Sequence, residues 1–330
     1  MLSSMIRTAA LPLLLPPSLA YGAVAAVHRG VHRRGWVRRR RLACPVICIG
    51  GLSLGGDGKT PVTREIAGRL QQRGLRVGVV AGGYGAATQG IRRLTAETRW
   101  EPMAGRFGDE AVMLAGWLPG ALVFVGADKS AAAAAALAAG AQVVVLDDGF
   151  QHHRLERSLD VLVGRRPWLP PPAGRARELP LLASEAGLRW WHARAAEARP
   201  PVVRTRVVSV NEPVGLFDQR GALVGRPGVL QGTRVFLVAG VARPADFVAL
   251  VRSLGATVVG QRFVRDHRPL PLTGALLRRA AGADLLLCTE KDAVRMVGRS
   301  VAAPLVHLAC DLRVVSGAAE LERRLERALC

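Results

Sequence analysis

Apolar residues in this chain gather in short unbroken runs, separated by stretches in which apolar positions recur every three to four residues. Residues 46–49 form one such run and stop at glycines, and residues 75–81, 121–125 and 142–146 repeat the pattern. Between them, residues 61–72 place Val62, Ile66, Ala67 and Leu70 on one helical face, and the apolar 111–118 and Ala-rich 131–139 segments also read as helices. A strand that is apolar at every position must be covered on both sides, so the alternation predicts an α/β fold with a parallel sheet between helices. A second series begins with a strand over 235–239, a helix over 244–254 and strands over 256–259 and 285–288. Extended segments at 202–210 and 214–224 flank Asn211-Glu212-Pro213 and predict a two-stranded ribbon joining the two series. The expected organisation is an N-terminal segment (1–41), an α/β lobe (42–201), the ribbon (202–228) and a second, smaller α/β lobe (229–330).

The N-terminal segment has a different character. Residues 9–27 carry no charge, a length close to that needed to span or enter a bilayer, although Pro12, Pro16 and Pro17 weaken the helix. Seven arginines follow, at positions 29, 33, 34 and 38–41, with Trp36 among them. Such a flank belongs on the cytoplasmic side of a membrane segment, so the expectation is a membrane-associated helix with a cytoplasmic body. Two readings compete: a cleaved signal peptide with Ala23-Val24-Ala25 as its small-residue site, and a first core helix followed by a solvated basic tail.

Composition narrows the partners. Half of the 330 residues are apolar, which excludes disorder, and 46 basic against 25 acidic residues give a net charge of +21. Phosphates, anionic lipid and nucleic acid all suit that charge. Nucleic acid is disfavoured, because aromatics make up only 5% of the chain and the basic cluster abuts an apolar segment. Only three of the 46 basic residues are lysines, at 59, 129 and 291. The five cysteines show neither a CxxC pair nor zinc spacing with histidine, as expected in a reducing compartment.

The strongest chemical signal is Gly50-Gly51-Leu52-Ser53-Leu54-Gly55-Gly56-Asp57-Gly58-Lys59-Thr60, between a predicted strand and a predicted helix. It is a P-loop variant in which Ser53 stands where the strict pattern has glycine. Glycines let backbone N–H groups approach phosphate oxygens, Lys59 reaches the β and γ phosphates, and the Thr60 hydroxyl binds Mg²⁺. The apolar strand over 143–146 ends in Asp147-Asp148, a position from which a carboxylate completes the Mg²⁺ shell of P-loop enzymes. Glu290, Lys291 and Asp292 follow another strand at its carboxyl end, where Lys291 is either a ligand-binding group or a solvated charge. Asp109 and Glu110 start a helix, and Asp266-His267-Arg268 lies in a polar loop.

Seven segments, GGLSLGGDGKTP, GDEAVMLA, DDGFQHHRLERSLDVLV, PPAGRARELP, FLVAGVARPADF, QRFVRDHRP and LLCTEKDAVRM, resemble in the same order the motifs of the tetraacyldisaccharide 4′-kinases, membrane-associated kinases of lipid A. The resemblance runs from residues 17–22 to about residue 296 and includes the serine of the P-loop. It implies transfer of a phosphoryl group from ATP, with Mg²⁺, to the 4′-hydroxyl of tetraacyldisaccharide 1-phosphate, giving lipid IVA at the cytoplasmic face of the bacterial inner membrane. It further implies that Asp109 acts with His267 as the base and that Lys59 serves the transferred phosphate. Residues 53–60, including Leu54, then hold the nucleotide, Thr60, Asp147 and Asp148 the metal, and Glu110, Gln151, His152, Arg177 and Glu178 the lipid side. Where that family usually has Ser-Arg-Gly-Tyr, this chain has Ala81-Gly82-Gly83-Tyr84, and Arg268 replaces a second histidine. The residues alone also admit a P-loop GTPase or metallochaperone, although no guanine-reading Asn-Lys-x-Asp occurs. They leave the oligomeric state open.

Overall fold

The computed structural model describes residues 2–53, 55–83, 90–97, 103–164, 169–174, 176–177, 186–193, 207–266, 270, 274–297 and 305–330. The chain runs through α1 (Leu2–Arg33), β1 (Val46–Gly50), α2 (Lys59–Gln72), β2 (Val77–Ala81), β3 (Arg92–Leu94), α3 (Ala104–Phe107), α4 (Asp109–Trp117), β4 (Leu122–Val125), α5 (Lys129–Ala138), β5 (Val143–Leu146) and β6 (Leu159–Val163). It continues with β7 (Leu188–Ala193), β8 (Val207–Phe217), β9 (Leu223–Gly225), a single 3-10 turn, β10 (Arg234–Ala239), α6 (Pro244–Ser253) and β11 (Thr257–Phe263). The last elements are α7 (Gly274–Arg279), β12 (Leu285–Thr289), α8 (Glu290–Met296), β13 (Leu305–Ser316) and α9 (Ala318–Leu329).

Among the described residues the strands join one sheet in the order β11-β10-β12-β13-β8-β7-β6-β1-β5-β2-β4-β3, with β9 on β8. Pairing is parallel except where β3 meets β4, β9 meets β8 and β13 meets β8. The predicted α/β class and mostly parallel sheet are thus observed, and β1, β2 and β5 are buried at every residue. On one face Ile47, Ile49, Val79 and Val145 meet Val62, Ile66 and Leu70 of α2 and Val112 and Leu114 of α4. On the other, Val46, Cys48, Val144 and Leu146 meet the alanines of α5. The small residues of α5 have a steric reason. A Cβ on Gly78 would come within 2.9 Å of the Ala136 Cβ, so the helix lies close against the sheet.

After β1 the chain enters β2, reaches the sheet edge at β3, comes back through β4 to β5, and crosses to β6 on the opposite side of β1. The crevice at such a reversal, above the carboxyl ends of the strands, is where open α/β sheets bind ligands.

The ribbon differs from expectation. No hairpin forms at Asn211-Glu212-Pro213; β8 runs straight through, parallel to β7 and antiparallel to β13. A tight hairpin needs positive φ in its turn, and none of these three residues has it. The missing N–H of Pro213 is absorbed at a register shift against Ala309 and Cys310, so the proline distorts the strand without ending it.

Helix α1 contains Pro12, Pro16 and Pro17, and among the described residues no helix is long and apolar enough to cross a membrane. One side is docked on the body. Buried Ser18 accepts the Ala173 N–H at 2.9 Å through Oγ and donates to the Leu14 carbonyl at 2.7 Å. Buried Arg29 lies over the Phe150 ring at 4.8 Å, and the rings of His28, His32 and His153 cluster with centroids 4.6 to 5.9 Å apart. The other side exposes Leu13, Leu19, Tyr21, Val24 and Val27.

This docking is sensitive to acid. Burial first, then the charges of Arg157 and Arg29 and the nearby His28 and His32, push the His153 imidazole down to about 3 from its ordinary 6.5. Below pH 6.5 the unfolded chain takes up a proton there that the folded chain refuses, so stability present above pH 6.5 is lost as the pH falls toward about 3. Thermal midpoints measured between about pH 4 and pH 7 are therefore expected to fall with acidification less steeply in His153→Gln than in the parent. An unchanged slope would show that His153 carries none of the acid sensitivity.

Candidate active site

The nucleotide-type loop is held by neighbours that require glycine at two places. Gly58, which caps α2, has φ +81°, and a Cβ there would lie 2.6 Å from the His192 ring of β7. Gly164, at the end of β6, has φ +89° and leaves room for Asp57, whose Cβ would be 2.6 Å from an added methyl. The Ser53 hydroxyl donates to the Asp57 carboxylate, closing the loop on itself. That contact accounts for a serine in place of glycine. Leu54 lies outside the described residues.

Behind the loop, Asp147 is buried at the end of β5 and accepts hydroxyl hydrogen bonds from Thr60 at 3.2 Å and Thr63 at 2.8 Å. Burial, and next the charge of Glu110, push its carboxyl up to about 6. Asp148 has φ 49°, the one positive φ outside glycine among the described residues. Lys59 Nζ is 3.2 Å from its Oδ1, and Arg177 reaches both oxygens at 3.0 and 2.9 Å. Burial alone would raise the Asp148 carboxyl, but Lys59, Arg177 and Lys129 bring it below its ordinary value. Gln151 accepts from Arg177 at 3.2 Å and donates to the Gly51 carbonyl at 3.1 Å. His152 stands beside this group, and its imidazole is pushed down to about 4, chiefly by burial and then by the Lys129 charge.

Lys129, buried at the start of α5, donates to the carbonyl oxygens of Asp147 and Asp148, the latter at 2.8 Å. These two bonds hold the left-handed Asp148 backbone, a conformation that persists in a non-glycine residue only when its surroundings impose it. A Cβ on Gly82 would be 3.4 Å from Lys129 Cε. The Lys129 ammonium therefore stands beside the position where the tetraacyldisaccharide 4′-kinase motif carries arginine.

A second cluster gathers on α4 and α8. Asp109 is buried; its Oδ1 accepts the Glu110 N–H at 2.9 Å and its Oδ2 accepts Arg295 Nε at 2.8 Å and the adjacent Nη2. Lys291 Nζ lies 3.0 Å from Asp266, 3.4 Å from Glu110 and 3.9 Å from Asp109. Burial works against the Lys291 charge, yet Glu110, Asp109 and Asp266 hold its ammonium above the ordinary value. The solvated reading of Lys291 is thereby excluded, and all three lysines of the chain stand in the two clusters. His267, which follows Asp266 directly, lies outside the described residues with Arg268, Tyr84 and Glu178.

Among the described residues no group of three or more His, Cys, Asp or Glu side chains is arranged to hold a metal ion. What Thr60 and Asp147 offer is one hydroxyl and one buried carboxylate side by side. That donor set fits Mg²⁺, which usually takes one or two protein oxygens and completes its octahedron with phosphate and water.

Comparison with known proteins gives the family. The family model described as tetraacyldisaccharide-1-P 4'-kinase matches residues 10–330. The chain belongs to that family. Among relatives of the family, a tetraacyldisaccharide 4'-kinase of Anaeromyxobacter sp. (strain Fw109-5) is 37% identical over 343 residues, covering 96% of this chain and 91% of its own. One from Xanthomonas campestris pv. campestris (strain 8004) is 37% identical over 310 residues, covering 86% of this chain and 84% of its own. A crystal structure described as the "apo" form LpxK from Aquifex aeolicus in complex with ATP shares the fold, with a TM-score of 0.80 at 22% identity, covering 98% of this chain and 100% of that one.

Within this member of the tetraacyldisaccharide 4'-kinase family, the structure brings together Lys59, Thr60, Asp147, Asp148, Gln151 and Arg177, and separately Asp109, Glu110 and Lys291. Sequence reasoning did not select Thr63, Lys129 or Arg295. A usable signal existed for two of them: lysine is rare in this chain, and Arg295 lies four residues after Lys291, on the same helical face.

Proposed function

We propose that this chain transfers the γ-phosphoryl group of ATP to the 4′-hydroxyl of the tetraacyldisaccharide 1-phosphate precursor of lipid A, giving lipid IVA. The observation that carries this reading is the P-loop with Thr60 on Asp147 at the carboxyl edge of the sheet, in a chain of the tetraacyldisaccharide-1-P 4'-kinase family. The ATP complex of the structural neighbour supports the choice of nucleotide. Residues 53–60 cradle the phosphates with backbone N–H groups, and the Lys59 ammonium exchanges Asp148 for β and γ oxygens. Thr60, Asp147 and Asp148 would hold Mg²⁺, which draws charge from the phosphate oxygens when bound. Asp109 takes the proton of the attacking hydroxyl, with His267 orienting or sharing it, and Glu110, Gln151, His152, Arg177 and Glu178 face the disaccharide.

In this reading residues 42–201 form the nucleotide lobe, 202–228 the connection and 229–330 the second lobe. Separate apolar clusters lie around α5 and around α6, while a larger one joins α2 and α4 to Val294 and α9 across that division. The enzyme sits at the cytoplasmic face of the inner membrane, held there by residues 1–41: the exposed apolar row of α1 enters the interface and the arginines meet anionic lipid. Nucleic acid is not a partner.

Purified protein incubated with labelled ATP, Mg²⁺ and the acylated disaccharide 1-phosphate should yield a 4′-labelled lipid. Lys59→Arg should yield none, because a planar fork cannot replace a compact ammonium inside the loop. Labelled lipid from Lys59→Arg at the parent rate would remove the role given to Lys59, and no labelled lipid from the parent would remove the function.

Asp109→Ala and His267→Ala should each lower kcat by about 10²-fold or more, with the double variant little worse than the poorer single one. Fully multiplicative losses would separate the pair.

Deleting residues 1–41 should reduce sedimentation with anionic vesicles, each arginine near the lipid contributing about 1 kcal/mol. Equal sedimentation of truncated and intact protein would place the anchor elsewhere.

A further inference from the structure

Arg295 makes more contacts with the Asp109 group than a surface cation needs. Its Nε and Nη2 both donate to one oxygen of Asp109, its Nη1 donates to the Gly240 carbonyl at 3.0 Å and to Asp292 at 3.2 Å, and Nη2 lies 3.3 Å from Asp266. Asp292 is fixed in turn, accepting the Gly240 N–H at 2.9 Å and the Thr289 hydroxyl at 2.6 Å. A single guanidinium therefore links the start of α4, the carboxyl end of β10, the loop after β11 and helix α8. Those elements come from opposite ends of the sheet.

We infer that Arg295 is a positioning residue for Asp109, locking its Oδ2 so that the carboxylate keeps one orientation toward the attacking hydroxyl, while Lys291 and Arg295 together tie Asp266 to the same helix. This rests on Asp109 being the base. A carboxylate free to rotate samples directions useless for proton transfer, and a displacement of about 1 Å in a reacting group is enough to cost about 10²-fold in rate. Two N–H groups from one rigid fork remove that freedom; an ammonium on a flexible stem does not.

Among the described residues, the charged groups placed against Asp109 are Arg295 and Lys291 from α8, Glu110 from α4 and Asp266 from the loop after β11, with Asp292 behind Arg295. Arg295 supplies one of the two cations among them. Its removal should therefore move the acid limb of the kcat profile to higher pH, because a carboxylate that loses an adjacent cation holds its proton longer.

The test uses the full chain, with kcat measured against pH and KM measured for ATP. Arg295→Gln is expected to lower kcat about tenfold or more near neutral pH, to shift the acid limb upward by about one pH unit, and to leave the KM for ATP within about twofold. Arg295→Lys, which keeps the charge and folds more safely, should restore the limb without restoring kcat. In an Asp109→Asn background, Arg295→Gln should cost less than about threefold further, since there is no longer a base to position. A rate loss in Arg295→Gln with an unmoved limb, parent-like kcat in Arg295→Lys, or a full additional loss in the Asp109→Asn background would each reduce Arg295 to a structural tie. Asp109→Asn with near-parent activity would instead remove the base assignment itself.

Discussion

A dense set of carboxylates converges at the carboxyl edge of this sheet, and the molecule is organised around neutralising it. Asp147, Asp109 and Asp292 are buried there, with Asp148, Asp266 and Glu110 beside them. An unpaired buried carboxylate costs several kcal/mol or takes up a proton, so each needs a cation or converging N–H and O–H donors. The structure supplies both. Asp148 has Lys59 and Arg177, Asp109 has Arg295, Asp266 has Lys291, and Asp147 has two threonine hydroxyls. The Lys129 charge and the Thr63 hydroxyl do not fully compensate Asp147, and burial and Glu110 push its carboxyl up to about 6. A carboxylate short of positive charge, next to a threonine hydroxyl, is where the proposed reading puts the cation.

The choice between lysine and arginine follows the same electrostatics. This chain writes almost every cation as arginine and keeps lysine at three places, all in the two clusters. Lys59 must stand inside a tight loop, and Lys129 must meet two successive carbonyl oxygens in a space bounded by Gly82. Both tasks suit a compact point charge. Where the partner is a carboxylate to be held in one plane, as at Asp148 and Asp109, the guanidinium of Arg177 or Arg295 is used instead.

How much of this was legible in the sequence depended on chain distance. The strand, P-loop and α2 form one contiguous unit in which glycines, Lys59 and the apolar face of the helix all point to the same structure, so local reading sufficed. The carboxylates ending β5 were legible because a continuous apolar run leads into them. Strand β13 was not, since its second half is partly exposed and mixed in polarity, and only pairing with β8 makes it a strand. The same pairing straightened the expected ribbon. Arg295 was hidden for a related reason: its partner Asp109 is 186 positions away, and its place one turn after Lys291 was the one local sign of it. The placement of His267 and Glu178, both outside the described residues, rests on the motif alone.

The N-terminal helix adds a connection that neither its apolar run nor its arginines suggested. Ser18 of α1 binds the Ala173 N–H, and the same short segment continues to Ala176, which bridges to Ser53, and Arg177, whose N–H donates to the Leu52 carbonyl at 2.6 Å. Arg29 meanwhile covers Phe150, one residue before Gln151, which bonds Gly51. The helix thus reaches the P-loop through two separate backbone segments, each carrying one of the residues assigned to the disaccharide. On the proposed reading, the exposed apolar row of α1 faces lipid while its docked row braces the loops that meet the sugar. A substrate whose acyl chains stay in the membrane then arrives beside the phosphate-binding loop without leaving the bilayer surface. On that reading the coupling is built from a serine hydroxyl, an arginine on an aromatic face and a cluster of histidines.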